Sequence, residues 1–134
     1  MRLPMLLSAL LLCACTSPEP EFMVAEGAFG PYSSAVVVGD LVLVSGKIGS
    51  ERDGSFAAEA ESCIDAIEAD LSALGLALSD VVEARVYLTD MDRYAELNEV
   101  YGARFSAPYP ARTCVAVKAL PVGARVEIQV AARR

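Results

Sequence analysis

Two β-branched runs meet at a glycine and an aspartate, for residues 34 to 48 read SAVVVGDLVLVSGKI. Gly39-Asp40 is a two-residue hairpin turn, in which glycine supplies the positive φ that a tight turn between strands needs. The flanking valines and leucines suit a pleated, half-buried surface. The chain must therefore build an antiparallel sheet, and its remaining elements have to cover that sheet. Glu51 to Ser55 is a loop. From Ala57 to Leu74 the period changes: Ala60, Ile64, Ile67, Leu71 and Leu74 fall at steps of four, three, four and three, which is one helical face. Gly75 comes next, where helices commonly stop in the left-handed conformation.

Val81 to Thr89 predicts a strand. Asp90 to Asp92 predicts a turn, with Asp92 capping the next helix. Arg93 to Phe105 is that helix, with Tyr94, Leu97, Tyr101 and Phe105 on one face. Ala107-Pro108-Tyr109-Pro110 ends it. Thr113 to Leu120 and Arg125 to Ala132 predict two further strands around Pro121-Val122-Gly123. The order β-β-α-β-α-β-β describes one α+β domain with two helices on one face of a sheet of four or more strands. The other face lacks cover, which predicts an oligomer.

Ahead of the domain stands a leader. Residues 1 to 15 read MRLPMLLSALLLCAC, with one positive charge at Arg2 and an apolar stretch too short to span a bilayer. Leu12-Cys13-Ala14-Cys15 resembles a bacterial lipobox, which predicts cleavage after Ala14 and lipidation of Cys15. Residues 16 to 22 then form a polar, proline-containing tether, and the domain runs from 23 to 134. The expected location is the periplasmic face of a bacterial membrane, as an outer-membrane lipoprotein, with the lipid as the only membrane contact. The alternative is translation from Met23, which leaves the domain cytoplasmic.

Composition narrows the chemistry. The 134 residues hold 18 acidic and 11 basic side chains, a net charge of −7, which repels phosphate backbones and argues against nucleic acid as a partner. There is no histidine, which removes the commonest general base, the commonest transition-metal ligand and every Ser-His or Cys-His nucleophile. Cys63 and Cys114 match no metal spacing. They are either a disulfide of an exported protein or two small buried residues, and the second is the blander reading.

Four positions are chemically suggestive and individually unspecific. Glu127 lies mid-strand, opposite in alternation to Val126 and Ile128, and is either a solvated strand residue or a carboxylate that activates water. Arg112 is either a surface ion-pair partner or a fork that grips a carboxylate. Tyr32 either packs in the core or lines a pocket. Ser45-Gly46 marks a bulge or a close backbone approach.

Their surroundings are more telling. Gly30-Pro31-Tyr32-Ser33, Val44-Ser45-Gly46, the run from Val86 to Met91, Asn98-Glu99-Val100-Tyr101, the run from Pro110 to Val115, Ala119-Leu120-Pro121 and Val126-Glu127-Ile128 together resemble the Rid family, also called YjgF/YER057c. The resemblance spans about Gly30 to Ala132, and the run around Arg112 and Cys114 is similar to its RidA branch. It implies a chorismate-mutase-like α+β fold with a mixed sheet, assembled as a homotrimer with clefts between subunits. It implies hydrolytic deamination of 2-aminoacrylate/2-iminopropanoate and 2-iminobutanoate to keto acids and ammonia, with no metal or cofactor. In it Arg112 holds the substrate carboxylate and Glu127 activates water, while Tyr32, Ser45, Gly46, Asn98 and Cys114 line the pocket. Two positions depart from the family pattern: Lys47 and Gln129 stand where glutamine and glutamate are common, which bears on substrate preference. The alternative is a non-catalytic, small-molecule-binding or chaperone-like trimer. A ribonuclease or translation-inhibitor role fits the acidic charge poorly.

Overall fold

The computed structural model describes residues 18–134. The leader and the lipidation expected at Cys15 lie outside the described residues. The elements are β1 (Glu21–Val24), β2 (Ser33–Val38), β3 (Leu41–Ile48), α1 (Phe56–Ala73), β4 (Val81–Leu88), α2 (Tyr94–Arg104), β5 (Ala111–Ala116) and β6 (Val126–Arg133). Short 3-10 turns occupy Leu78–Asp80, Met91–Arg93 and Pro121–Gly123. The strands form one mixed sheet in the order β1-β2-β3-β6-β4-β5. Only β4 and β5 run parallel, and α2 makes the crossover that a parallel pair requires.

The hairpin turns at Gly39 with φ +64, as the Gly-Asp pair predicts. The stripe on α1 is the core: Ala60, Ile64, Ile67 and Leu71 are fully buried against Val42, Val44, Val86 and Ile128 of the sheet and against Leu97 of α2. Trimming Ile64, Ile67 or Leu71 to alanine costs about 2–5 kcal/mol. Ser55 caps the start of α1, its hydroxyl accepting the Ala58 N–H at 3.1 Å. At the other end Gly75, φ +74, sends its N–H to Ser72 O while Leu76 N–H reaches Leu71 O, so both loose carbonyls are satisfied.

The structure corrects the sequence reading in three places. A strand, β1, begins at Glu21, inside the stretch read as tether, and pairs with β2 from Glu21↔Val37 to Val24↔Ser33. Asp92 does not cap α2; Asp90 instead caps the 3-10 turn before it, accepting the Asp92 N–H at 2.9 Å. Tyr94 is not part of the buried face of α2 but is 39% exposed, whereas Leu97, Val100 and Tyr101 are buried.

Both helices lie on one face. The other face carries exposed Phe22, Leu43 and Val115, which strand register places on the same side of the sheet.

Candidate active site

The site begins with an irregularity in β3. Val44 pairs with Val130 and Lys47 with Ile128, so Ser45 and Gly46 together oppose Gln129 alone. This is a β-bulge, the reading left open for Ser45-Gly46. The bulge brings Gly46 against the side chain of Glu127, where a β-carbon would stand 2.8 Å from Glu127 Cδ and 3.1 Å from Cγ. Both readings of that glycine therefore hold: it is a bulge and a close approach.

Glu127 is half-buried and, among the described residues, has no hydrogen-bond or ion-pair partner. Burial raises its pKa above the ordinary carboxylate value. It borders a cleft of about 780 Å³ that Tyr32, Ser45, Gly46 and Phe29 also line. The Ser45 hydroxyl is committed to the backbone, donating to Ser33 O at 2.6 Å, so this residue shapes the cleft rather than offering a free hydroxyl. Lys47 reaches α1 and pairs with Asp70 at 2.6 Å, which offsets its charge at the cleft wall. Cys63 is fully buried and donates its thiol to Lys47 O at 2.9 Å; burial pushes its pKa up to about 12, which makes it unreactive.

The sequence reading missed the device that fixes the entry to β6. Glu59, on α1, is fully buried and accepts the Arg125 backbone N–H at 2.7 Å and the Arg125 Nε–H. Arg125 also donates to Gly54 O at 3.0 Å. Glu59 and Arg125 are 66 residues apart, and neither stands in a recognisable motif.

A second group forms on β5 and α2. Arg112 Nη2 donates to Asn98 Oδ1 at 2.6 Å and to the Tyr94 hydroxyl at 3.3 Å. Its guanidinium lies 4.6 Å from the Tyr101 ring centroid, and Tyr101 in turn stacks on Phe105 at 4.1 Å. The cation thus sits over an aromatic floor. Cys114 is half-buried two residues along the same strand face. Burial raises its thiol pKa, and Arg112 opposes that shift in part. Cys63 and Cys114 are both free, so the disulfide alternative is set aside.

The two groups face opposite ways. Arg112 is in register with Ala84 and Val130, which are buried beneath the helices. Glu127 is in register with Tyr87 and Val115 on the other face, and β4 separates β5 from β6. Within one chain, then, the structure gathers Glu127, Tyr32, Ser45 and Gly46, and separately gathers Arg112, Asn98 and Cys114. Among the described residues no cluster of three or more metal-ligating side chains occurs, and no helix is long and apolar enough to cross a membrane.

Such an arrangement defines a class: one-domain α+β proteins that carry a carboxylate cleft beside a β-bulge and a stacked arginine at the far strand. A family model described as "Endoribonuclease L-PSP" matches residues 23–134. The chain is 46% identical over 111 residues to "RutC family protein y4sK" of Sinorhizobium fredii, covering 78% of this chain and 88% of that one. It is 37% identical over 114 residues to the human "2-iminobutanoate/2-iminopropanoate deaminase", covering 81% and 83%. The crystal structure of RidA from the Antarctic bacterium Psychrobacter sp. superposes with a TM-score of 0.76 at 44% identity, over 80% of this chain and 91% of that one. The chain belongs to the Rid (YjgF/YER057c) family.

Proposed function

We propose that this protein is an imine deaminase that hydrolyses 2-iminopropanoate and 2-iminobutanoate to the corresponding keto acids and ammonia. The observation that carries the reading is the complementary state of its two charged groups: among the described residues, a half-buried carboxylate with no partner, and an arginine seated over an aromatic ring with N–H groups left over. Relatives that bear the deaminase name support it.

The chemistry derives from those groups. Arg112 grips the substrate carboxylate and so fixes the imine carbon. Glu127 holds a water and takes its proton as the oxygen adds to that carbon; the raised pKa makes it a better base near neutrality. Glu127 passes that proton to the imine nitrogen to give the carbinolamine; on collapse the hydroxyl proton moves to nitrogen as the C–N bond breaks, leaving the keto acid and ammonia. Such imines hydrolyse unaided, so orientation of water and substrate supplies much of the acceleration needed.

Because Arg112 and Glu127 face opposite sides of the sheet, the reading requires that one subunit supplies the arginine and its neighbour the glutamate. The exposed Phe22, Leu43 and Val115 face supplies the surface for such an assembly, a homotrimer by the family resemblance. The ribonuclease in the family description is not carried over, since a net charge of −7 repels an RNA backbone. Export and lipidation of Cys15 belong to the same proposal; metabolic labelling with a radioactive fatty acid tests it, and a label that persists in Cys15→Ala refutes it.

The decisive experiment measures keto-acid and ammonia release by the purified full chain from imines generated in situ by an amino-acid oxidase. Acceleration that disappears in Arg112→Ala supports the deaminase. A folded oligomer that leaves the spontaneous rate unchanged is a binding protein instead.

A further inference from the structure

Arg112 carries an arrangement with a consequence for the substrate. A guanidinium presents two edges with parallel N–H bonds, Nη1–Nη2 at its end and Nη2–Nε along its side, and both edges include Nη2. Here both Nη2 hydrogens are taken. One goes to Asn98 Oδ1 at 2.6 Å, the other to the Tyr94 hydroxyl at 3.3 Å. Among the described residues the Nη1 and Nε hydrogens meet no acceptor. A carboxylate that seeks a two-point grip must therefore displace one of these acceptors. The longer contact, to Tyr94, is the weaker of the two.

Tyr94 differs from Asn98 in what it does when displaced. Asn98 Oδ1 is an acceptor only, whereas a phenol both accepts and donates. Tyr94 is 39% exposed at the first turn of α2, so its hydroxyl is free to turn. We propose that Tyr94 is a ligand of the substrate carboxylate: its hydroxyl, which accepts from Arg112 Nη2, yields that hydrogen to the incoming carboxylate and turns its own hydrogen onto the carboxylate oxygen. The carboxylate is then held by two N–H bonds and one O–H bond. Asn98 stays on Nη2 throughout and keeps the guanidinium from swinging. This assignment deepens the deaminase reading and rests on it for the identity of the ligand.

The test is Tyr94→Phe, which keeps the ring and removes only the hydroxyl. Loss of a hydrogen bond to a charged group predicts about a tenfold rise in KM for 2-iminobutanoate. The same rise is expected in the Kd of the product 2-oxobutanoate, read by titration calorimetry, while kcat falls less than twofold. An unchanged Kd overturns the assignment, and so does a lower one, which would make the hydroxyl a mere competitor for Arg112. The melting temperature of the variant checks the fold, and Arg112→Ala gives the floor for carboxylate binding. The calorimetric arm is independent of turnover. A protein that binds 2-oxobutanoate through Tyr94 without accelerating hydrolysis keeps this site and loses the deaminase reading. A wild-type protein that binds no 2-oxobutanoate overturns the Tyr94 assignment.

Discussion

Glu127 folds its side chain over Gly46 so closely that a β-carbon at that glycine would lie 2.8 Å from the carboxyl carbon. Any residue with a side chain at position 46 must push the acid out of place. Gly46→Ala is therefore expected to lower kcat/KM by about a hundredfold, the scale of a misplaced catalytic group. The melting temperature should fall by only a few degrees, because the exposed edge of the cleft can relax. A Gly46→Ala variant with wild-type kcat/KM would show that the acid's position is immaterial.

The burial that raises the Glu127 pKa gives the rate and the stability opposite pH dependences. The base works as the carboxylate, so kcat should rise with pH through a midpoint above the ordinary 4.5. The folded state binds this proton more tightly than the unfolded chain does, so stability falls as pH rises between 4.5 and the raised value. Above that window the buried charge is a constant cost. Glu127→Gln should abolish the rate limb and melt higher than wild type at about pH 8, with the advantage gone below pH 4.5. A difference in melting temperature that does not change with pH would contradict this account of the shift.

Arg112 and Glu127 lie on opposite sheet faces, so two inactive variants should rescue each other. Co-expressed Arg112→Ala and Glu127→Gln chains form mixed oligomers in which some interfaces join an intact glutamate to an intact arginine. Random assembly regains about a quarter of wild-type activity, roughly one interface in four being whole. Activity per oligomer no greater than that of either parent would place both residues of a site on one chain.

The Glu59–Arg125 pair should respond unequally to its two halves. Arg125 is partly exposed and, if left alone, can still reach water, whereas Glu59 is fully buried. Arg125→Met leaves a buried charge unpaired and should cost about 3–5 kcal/mol, with loss of kcat because β6 is no longer anchored two residues before Glu127. Glu59→Gln keeps an acceptor for the Arg125 N–H and should cost less. In the double variant the penalties should be less than additive. Chemical denaturation of the four proteins tests this, and additive penalties would remove the coupling.

Much of the fold is legible in the chain because local pattern and tertiary packing agree there. The Gly39-Asp40 turn, the α1 stripe and its stop at Gly75 each come from a short stretch whose physics is local. Glu127 was ambiguous because alternation places it off the core but says nothing of what covers the other face. β1 was unreadable for a related reason. Phe22 and Val24 are exposed and only Met23 packs against the core, so little apolar burial marks the segment, and pairing with the edge of β2 makes it a strand. Tyr94 fits the helical period yet leaves the core, because Arg112 occupies the space beside Tyr101. The Glu59–Arg125 pair depends on the docking of α1 against the start of β6, which no local window contains.

The start of β1 at Glu21 also bears on where translation begins. Initiation at Met23 would leave two of the four β1 residues to pair with β2.

The bulge in β3 sets two residues against one, and that arithmetic has an evolutionary side. Deleting Gly46 alone would leave Ser45 opposite Gln129 and every other residue of β3 facing the way it faces now. The strand would become regular and its ladder continuous, while the acid would lose the gap it occupies. A single-codon deletion there would close the gap without turning any other side chain of the strand to the opposite face.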